Sequence, residues 1–207
     1  MSSQVARVFD RVSRLYDLPA LQLLVYRPAQ DMAIDELRAA GSKRVLDVGC
    51  GTGIFATRVR DELDGEVVCG CDLSPGMLAQ AAARSERVGW IQGDSGRLPL
   101  GTTTVDAVVC TEAFHFFDQP AALAEFRRVL VPGGLLLVAM INPRTGGGRH
   151  LLEAQARTTM GAGTWPTQKD MRRMVAVAGF DNRDQRRVGR VLSRVIPTVL
   201  TVATRRP

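Results

Sequence analysis

The chain has 207 residues, 45% of them hydrophobic and 23% charged, with a formal net charge of +6. This length suits one domain with a sizeable core, and the composition is that of an ordinary soluble globular chain. The longest apolar runs are far too short to span a bilayer, and Met1-Ser2-Ser3-Gln4 lacks the basic-then-apolar pattern of a signal peptide, so a cytoplasmic protein is expected.

In chain order, Val5, Val8, Phe9, Val12, Leu15 and Tyr16 recur at helical spacing, and Leu18-Pro19 ends that segment. A second helix is expected from Pro28 to Gly41. Strand and helix then alternate: a strand over Arg44–Val48, a helix over Thr52–Leu63, and a strand over Glu66–Cys71. Next come a helix capped by Ser74 that runs to Arg84, and strands over Val88–Gln92 and Val105–Cys110. A helix over Ala121–Leu130, a turn at Pro132-Gly133-Gly134 and a strand over Leu135–Ile141 complete the alternation. Asn142–Gly148 reads as a loop, Arg149–Met160 and Thr167–Ala178 as helices, and two last strands fall within Arg186–Leu192 and Pro197–Thr204. The expected fold is an α/β doubly wound, mostly parallel sheet with helices on both faces and an antiparallel last strand. Its parts are an N-terminal helical segment (1–40), a ligand-binding core (41–141) and an acceptor-side region (142–207).

The loop Gly49-Cys50-Gly51-Thr52-Gly53 follows a strand and opens a helix, a context in which a ligand can lie against bare backbone near free N–H groups. A dinucleotide fingerprint needs a sixth-position glycine, where this chain has Ile54, and no Lys-Ser/Thr pair of a phosphate loop follows. Asp72 ends the next strand, placed to accept from both hydroxyls of a ribose. Asp94 ends the third strand and could accept from an adenine amino group, or simply hold a turn.

Taken together, Val45-Leu46-Asp47-Val48-Gly49-Cys50-Gly51-Thr52-Gly53, Cys71-Asp72-Leu73-Ser74-Pro75-Gly76-Met77-Leu78, Gly93-Asp94 with Leu98-Pro99, Val105–Cys110 with His115-Phe116, and Phe126–Gly134 resemble the successive motifs of class I S-adenosylmethionine-dependent methyltransferases. The resemblance covers roughly residues 40–141 and implies a seven-stranded sheet and S-adenosyl-L-methionine as cofactor, with S-adenosyl-L-homocysteine as product. It also implies roles. Gly49, Gly51 and Gly53 would form the loop against the methionine part, with Asp47 supporting the loop and the amino group. Asp72 would hold the ribose beside Leu73, Met77 would pack near the adenine, Asp94 with the Ser95 backbone would read its edge, and Thr111 would offer backbone to the amino group. The chain is also similar to the ubiquinone and menaquinone biosynthesis methyltransferases through Phe9…Tyr16-Asp17 and its central motifs. It departs from their Arg-Asn-Val stretch, where Phe114-His115-Phe116-Phe117 stands.

Displacement at a sulfonium mainly requires alignment and exclusion of water. A base is needed only when the acceptor loses a proton, and His115 is the candidate, set against a structural histidine among phenylalanines; Tyr16 and Tyr26 are weaker candidates. The aromatic cluster suggests a small, partly apolar acceptor such as a quinone, lipid or secondary-metabolite precursor, and the reading leaves room for a homodimer. Residues 142–207 hold 13 Lys/Arg against 4 Asp/Glu, which keeps an RNA methyltransferase as an alternative although nucleic acid is not the expected partner. A nicotinamide-dependent oxidoreductase and a non-catalytic cofactor-binding regulator are the others. The four cysteines lie in or beside core strands without zinc-ligand spacing, so no metal is expected.

Overall fold

A computed structural model describes residues 22–63, 65–141, 163–189 and 197–207. The expected first helix with Tyr16, the loop 142–148 and the helix 149–160 lie outside the described residues.

A π-helical turn, Gln22–Tyr26, leads into helix α1, Arg27–Ala39. Strand β1 is Arg44–Val48, α2 Ile54–Glu62, β2 Val67–Asp72, α3 Pro75–Arg84 and β3 Gly89–Gln92. Strand β4 is Val105–Thr111, followed by a 3-10 turn at Phe114–Phe116, α4 at Gln119–Val129 and β5 at Leu130–Ile141. The last elements are α5, Gln168–Val177, β6, Phe180–Arg187, and β7, Thr198–Arg205.

The strands form one seven-stranded sheet in the order β3-β2-β1-β4-β5-β7-β6. Strands β1 to β5 pair in parallel, and β7 runs antiparallel to both neighbours. The order reverses direction between β1 and β4, which opens a crevice beyond their C-terminal ends. Alternation along the central strands fills both faces. Leu46, Val108, Leu136 and Val138 meet Leu123 and Phe126 of α4 and Met171 and Val175 of α5. Val45, Val109, Leu137 and Leu200 meet Ala33, Ile34 and Leu37 of α1 and Phe55 and Val59 of α2. Asp106 interrupts the apolar run of β4 because its carboxylate accepts from the Lys43 and Arg44 amides at 3.0–3.2 Å, clamping the start of β1.

Strand β6 differs from the expected 186–192: it begins at Phe180, directly after Gly179. Of its first five residues, Phe-Asp-Asn-Arg-Asp, only Phe180 is buried, so hydrophobic alternation is absent. The strand is held by its ladder to β7 and by Arg186, which pairs with Glu36 at 2.5 Å across to α1. The turn at Pro132-Gly133-Gly134 is a bulge within β5, with Gly133 at φ +76° and a register shift opposite β4. Among the described residues, no helix is long and apolar enough to cross a membrane.

Candidate cofactor and acceptor site

A cleft opens at the C-terminal ends of β1, β2, β3 and β4, where Gly49, Gly51, Asp72, Leu73, Met77, Ser95, Thr111 and His115 come together in its lining. The glycine loop is fixed to β2 by the Gly49 and Cys50 amides, which donate to the Cys71 carbonyl at 2.8 and 3.2 Å. Gly49 sits at φ +76°, and a Cβ there would lie 2.5 Å from the Ala113 Cβ, so any side chain would strike the segment after β4. Gly51, at φ +54°, has open space on its side-chain side, which leaves bare backbone toward the cleft. Gly53 packs against other elements. It faces Trp90, 2.4 Å from where its Cβ would be, and lets α2 close onto β3 and α3 rather than lining the cleft.

Asp47 precedes this loop on β1, 1% exposed and outside the cleft lining, and among the described residues neither carboxylate oxygen has a hydrogen-bond partner. Burial, reinforced by the neighbouring Asp72 charge, raises its pKa from 3.8 to about 8. Asp72 is anchored from both sides: Oδ2 accepts from the Gly51 amide and Oδ1 from the Ser74 amide, each at 2.9 Å. This anchoring fixes the carboxylate at the cleft wall. The Ser74 hydroxyl accepts from the Met77 amide at 3.0 Å, the expected cap, and sets Met77 on the cleft wall.

At the end of β3, Gly93 and Ser95 line the cleft, and Asp94 is not in its lining. Its Oδ1 accepts from the Gly96 amide at 2.9 Å, so its side chain holds a turn. The Ser95 Oγ is buried and has no partner, a polar atom available at the place expected to read an adenine edge.

After β4, Glu112 adopts φ +57°, a conformation unusual for a residue with a side chain. Its carboxylate accepts from the Ile141 amide at 2.6 Å and the Thr198 hydroxyl at 3.2 Å, tying together β4, the end of β5 and the start of β7 at the cleft mouth. His115 follows, 3% exposed, with both ring nitrogens lacking hydrogen-bond partners among the described residues. Burial lowers its pKa from 6.5 to about 3, which makes it a poor proton acceptor near neutrality.

Three participants were not evident from the sequence. Glu112 carries no local signal, and Trp165 reaches His115 only through the fold. Gln30 lines the cleft from α1, and a polar residue interrupting the apolar stripe Ala29, Ala33, Ile34 and Leu37 was the sign that could have found it. Among the described residues, no group of His, Cys, Asp and Glu could hold a metal ion.

Residues 46–138 match the family model for a methyltransferase domain. The chain is similar to a demethylmenaquinone methyltransferase of Beutenbergia cavernae, 38% identical over 65% of this chain and 57% of that one. It is also similar to a malonyl-[acyl-carrier protein] O-methyltransferase of Hahella chejuensis, 31% identical over 72% and 57% of the two chains. The chain thus spans little more than half the length of these two relatives. In fold it resembles the magnesium protoporphyrin IX methyltransferase of Synechocystis solved with S-adenosylhomocysteine, with a TM-score of 0.74 at 20% identity, covering 96% of this chain and 94% of that one. With the glycine loop and Asp72 at one cleft, residues 46–138 thus form a domain of the methyltransferase family.

Proposed function

We propose that the protein uses S-adenosylmethionine to methylate a small, partly apolar acceptor. The observation that carries this reading is Asp47, a buried carboxyl group just before a glycine loop open to the cleft, with no hydrogen-bond partner among the described residues. Such a group is costly unless a cationic ligand completes it, and the ammonium of a bound amino acid moiety suits it. Bound S-adenosylmethionine would supply a methyl group on a sulfonium, already activated for displacement.

The chain's own residues then have positional work. Gly49 and Gly51 give backbone to the methionine part, Asp72 accepts from the ribose hydroxyls beside Leu73, and Met77 and Ser95 meet the adenine. Thr111 contributes backbone at the end of β4. Phe116, Phe117 and Ile141 give the acceptor side an apolar wall that excludes water. The relatives named above agree on methyl transfer and differ in the acceptor their names give, demethylmenaquinone in one and malonyl-[acyl-carrier protein] in the other. The apolar wall favours a compact ring or chain over a charged acceptor.

Calorimetry with S-adenosylhomocysteine tests the cofactor. Binding to the wild type is expected, with no comparable binding of NAD. Asp72→Ala should weaken it by about 100-fold, since two charge-assisted hydrogen bonds contribute roughly 1.5 kcal/mol or more each. Stabilisation by NAD without stabilisation by S-adenosylhomocysteine would overturn the assignment.

A further inference from the structure

The cleft also holds a buried polar group that the cofactor assignment leaves unused, the imidazole of His115. It lines the cleft, and both of its nitrogens are without hydrogen-bond partners among the described residues. Its ring is fixed on several sides. Trp165 stacks on it at 5.2 Å between ring centres and 22° between planes, and Phe116 packs at 4.0 Å. Gly163 admits this arrangement, because a Cβ there would lie 2.8 Å from Trp165 and 3.3 Å from His115 Cδ2. The backbone is clamped as well: the Thr164 amide donates to the His115 carbonyl at 2.8 Å, and Gln119 Nε2 donates to the Thr164 carbonyl at 2.7 Å.

A histidine in a purely structural place would spend at least one nitrogen on a protein partner, since leaving a buried polar atom unpaired costs about 1–3 kcal/mol. Here the ring is immobilised by packing alone and both nitrogens are kept unspent. The neighbouring carboxylate, Glu112, is bound to the Ile141 amide and the Thr198 hydroxyl.

We propose that His115 is an acceptor-positioning residue, hydrogen-bonding through a ring nitrogen to a hydroxyl or carbonyl oxygen on a flat, mostly apolar methyl acceptor. Burial keeps the imidazole uncharged, so it orients this oxygen rather than removing a proton or attracting an anion. Preorganisation by Trp165 and Phe116 removes the ordering cost that a mobile side chain would bring. This role rests on the methyltransferase reading above, and it makes the acceptor specific for an oxygen at one ring position.

The test compares alpha-naphthol with its near-isostere alpha-methylnaphthalene, binding to protein saturated with S-adenosylhomocysteine. One neutral hydrogen bond corresponds to a preference for naphthol of about five-fold. His115→Phe keeps the aromatic stack and should abolish the preference, whereas His115→Gln, which retains a hydrogen-bonding end, should restore part of it. The proposal is overturned if the wild type shows no preference, if His115→Phe keeps it, or if both variants lose it equally. Failure of the wild type to bind S-adenosylhomocysteine would instead sink the methyltransferase reading, and the naphthol comparison in cofactor-free protein would then show separately whether His115 bonds an aromatic hydroxyl.

Discussion

Binding of S-adenosylhomocysteine should release protons, and Asp47 should be their source. In the free protein this carboxyl group has a pKa of about 8. At pH 7 it therefore holds about 0.9 proton, and at pH 8 about 0.5. The nearby thiols do not compete, because burial raises the pKa of Cys71 to about 12 and those of Cys50 and Cys110 well above the usual thiol range. A bound ammonium favours the carboxylate, so its arrival should drive the pKa down and expel the proton. Calorimetric enthalpies measured in buffers of different ionisation enthalpy give the proton count as a slope. The expected count is close to one released at pH 7, falling toward half at pH 8. Asp47→Asn keeps the shape and removes the titration, so its slope should be near zero and its affinity about 10-fold or more weaker at pH 8, where the wild-type carboxylate forms most readily. A wild-type slope near zero at pH 7, or an unchanged slope in Asp47→Asn, would refute the pairing of Asp47 with the cofactor's ammonium.

Gly49→Ala should cost about 1–3 kcal/mol of stability in urea unfolding and abolish S-adenosylhomocysteine binding, because the new Cβ meets Ala113 at 2.5 Å on a left-handed backbone. Glu112→Ala should cost about 1–3 kcal/mol by the same measurement, since it strips the acceptor from the Ile141 amide, while Glu112→Gln, which keeps a side-chain oxygen there, should cost less.

The order of elements could be read wherever burial imposed a pattern. Strands β4 and β5 are apolar because helices cover both faces, and the Ser74 cap is where Ser-Pro before an apolar run places it. Strand β6 could not be read this way, because an edge strand held by its ladder and by ion pairs needs no alternation. The cofactor side was legible because its residues sit at strand ends with fixed spacing. Gly53 and Asp94 share that spacing, yet Trp90 fills the space beside the first and the second folds into its own turn. The acceptor side depends on contacts between distant segments, His115 with Trp165 and Glu112 with Thr198, and no local pattern encodes those.

Asp47 and His115 are both buried without partners, and their opposite chemistry predicts how the cofactor-free protein responds to pH. The raised pKa of Asp47 means that the folded state binds more protons than the unfolded one between pH 3.8 and about 8, so stability falls as pH rises through that range. The lowered pKa of His115 means that the folded state binds fewer between about 3 and 6.5, so stability falls as pH drops through that range. From pH 4 to 6.5 the two slopes, each about 1.4 kcal/mol per pH unit, nearly cancel. Above pH 6.5 the Asp47 term dominates while the His115 term fades, and a net loss of about 1.3 kcal/mol is expected by pH 8. Urea unfolding across this range should therefore show a plateau followed by a decline. His115→Phe should turn the plateau into a continuous fall, and Asp47→Asn should flatten the decline and leave a rise up to pH 6.5. Saturating S-adenosylhomocysteine should flatten the decline in the wild type as well, because a bound ammonium then stabilises the carboxylate form. If the variants kept the wild-type profile, the titrating groups would lie elsewhere, and neither Asp47 nor His115 would be the unpaired polar group that a ligand completes.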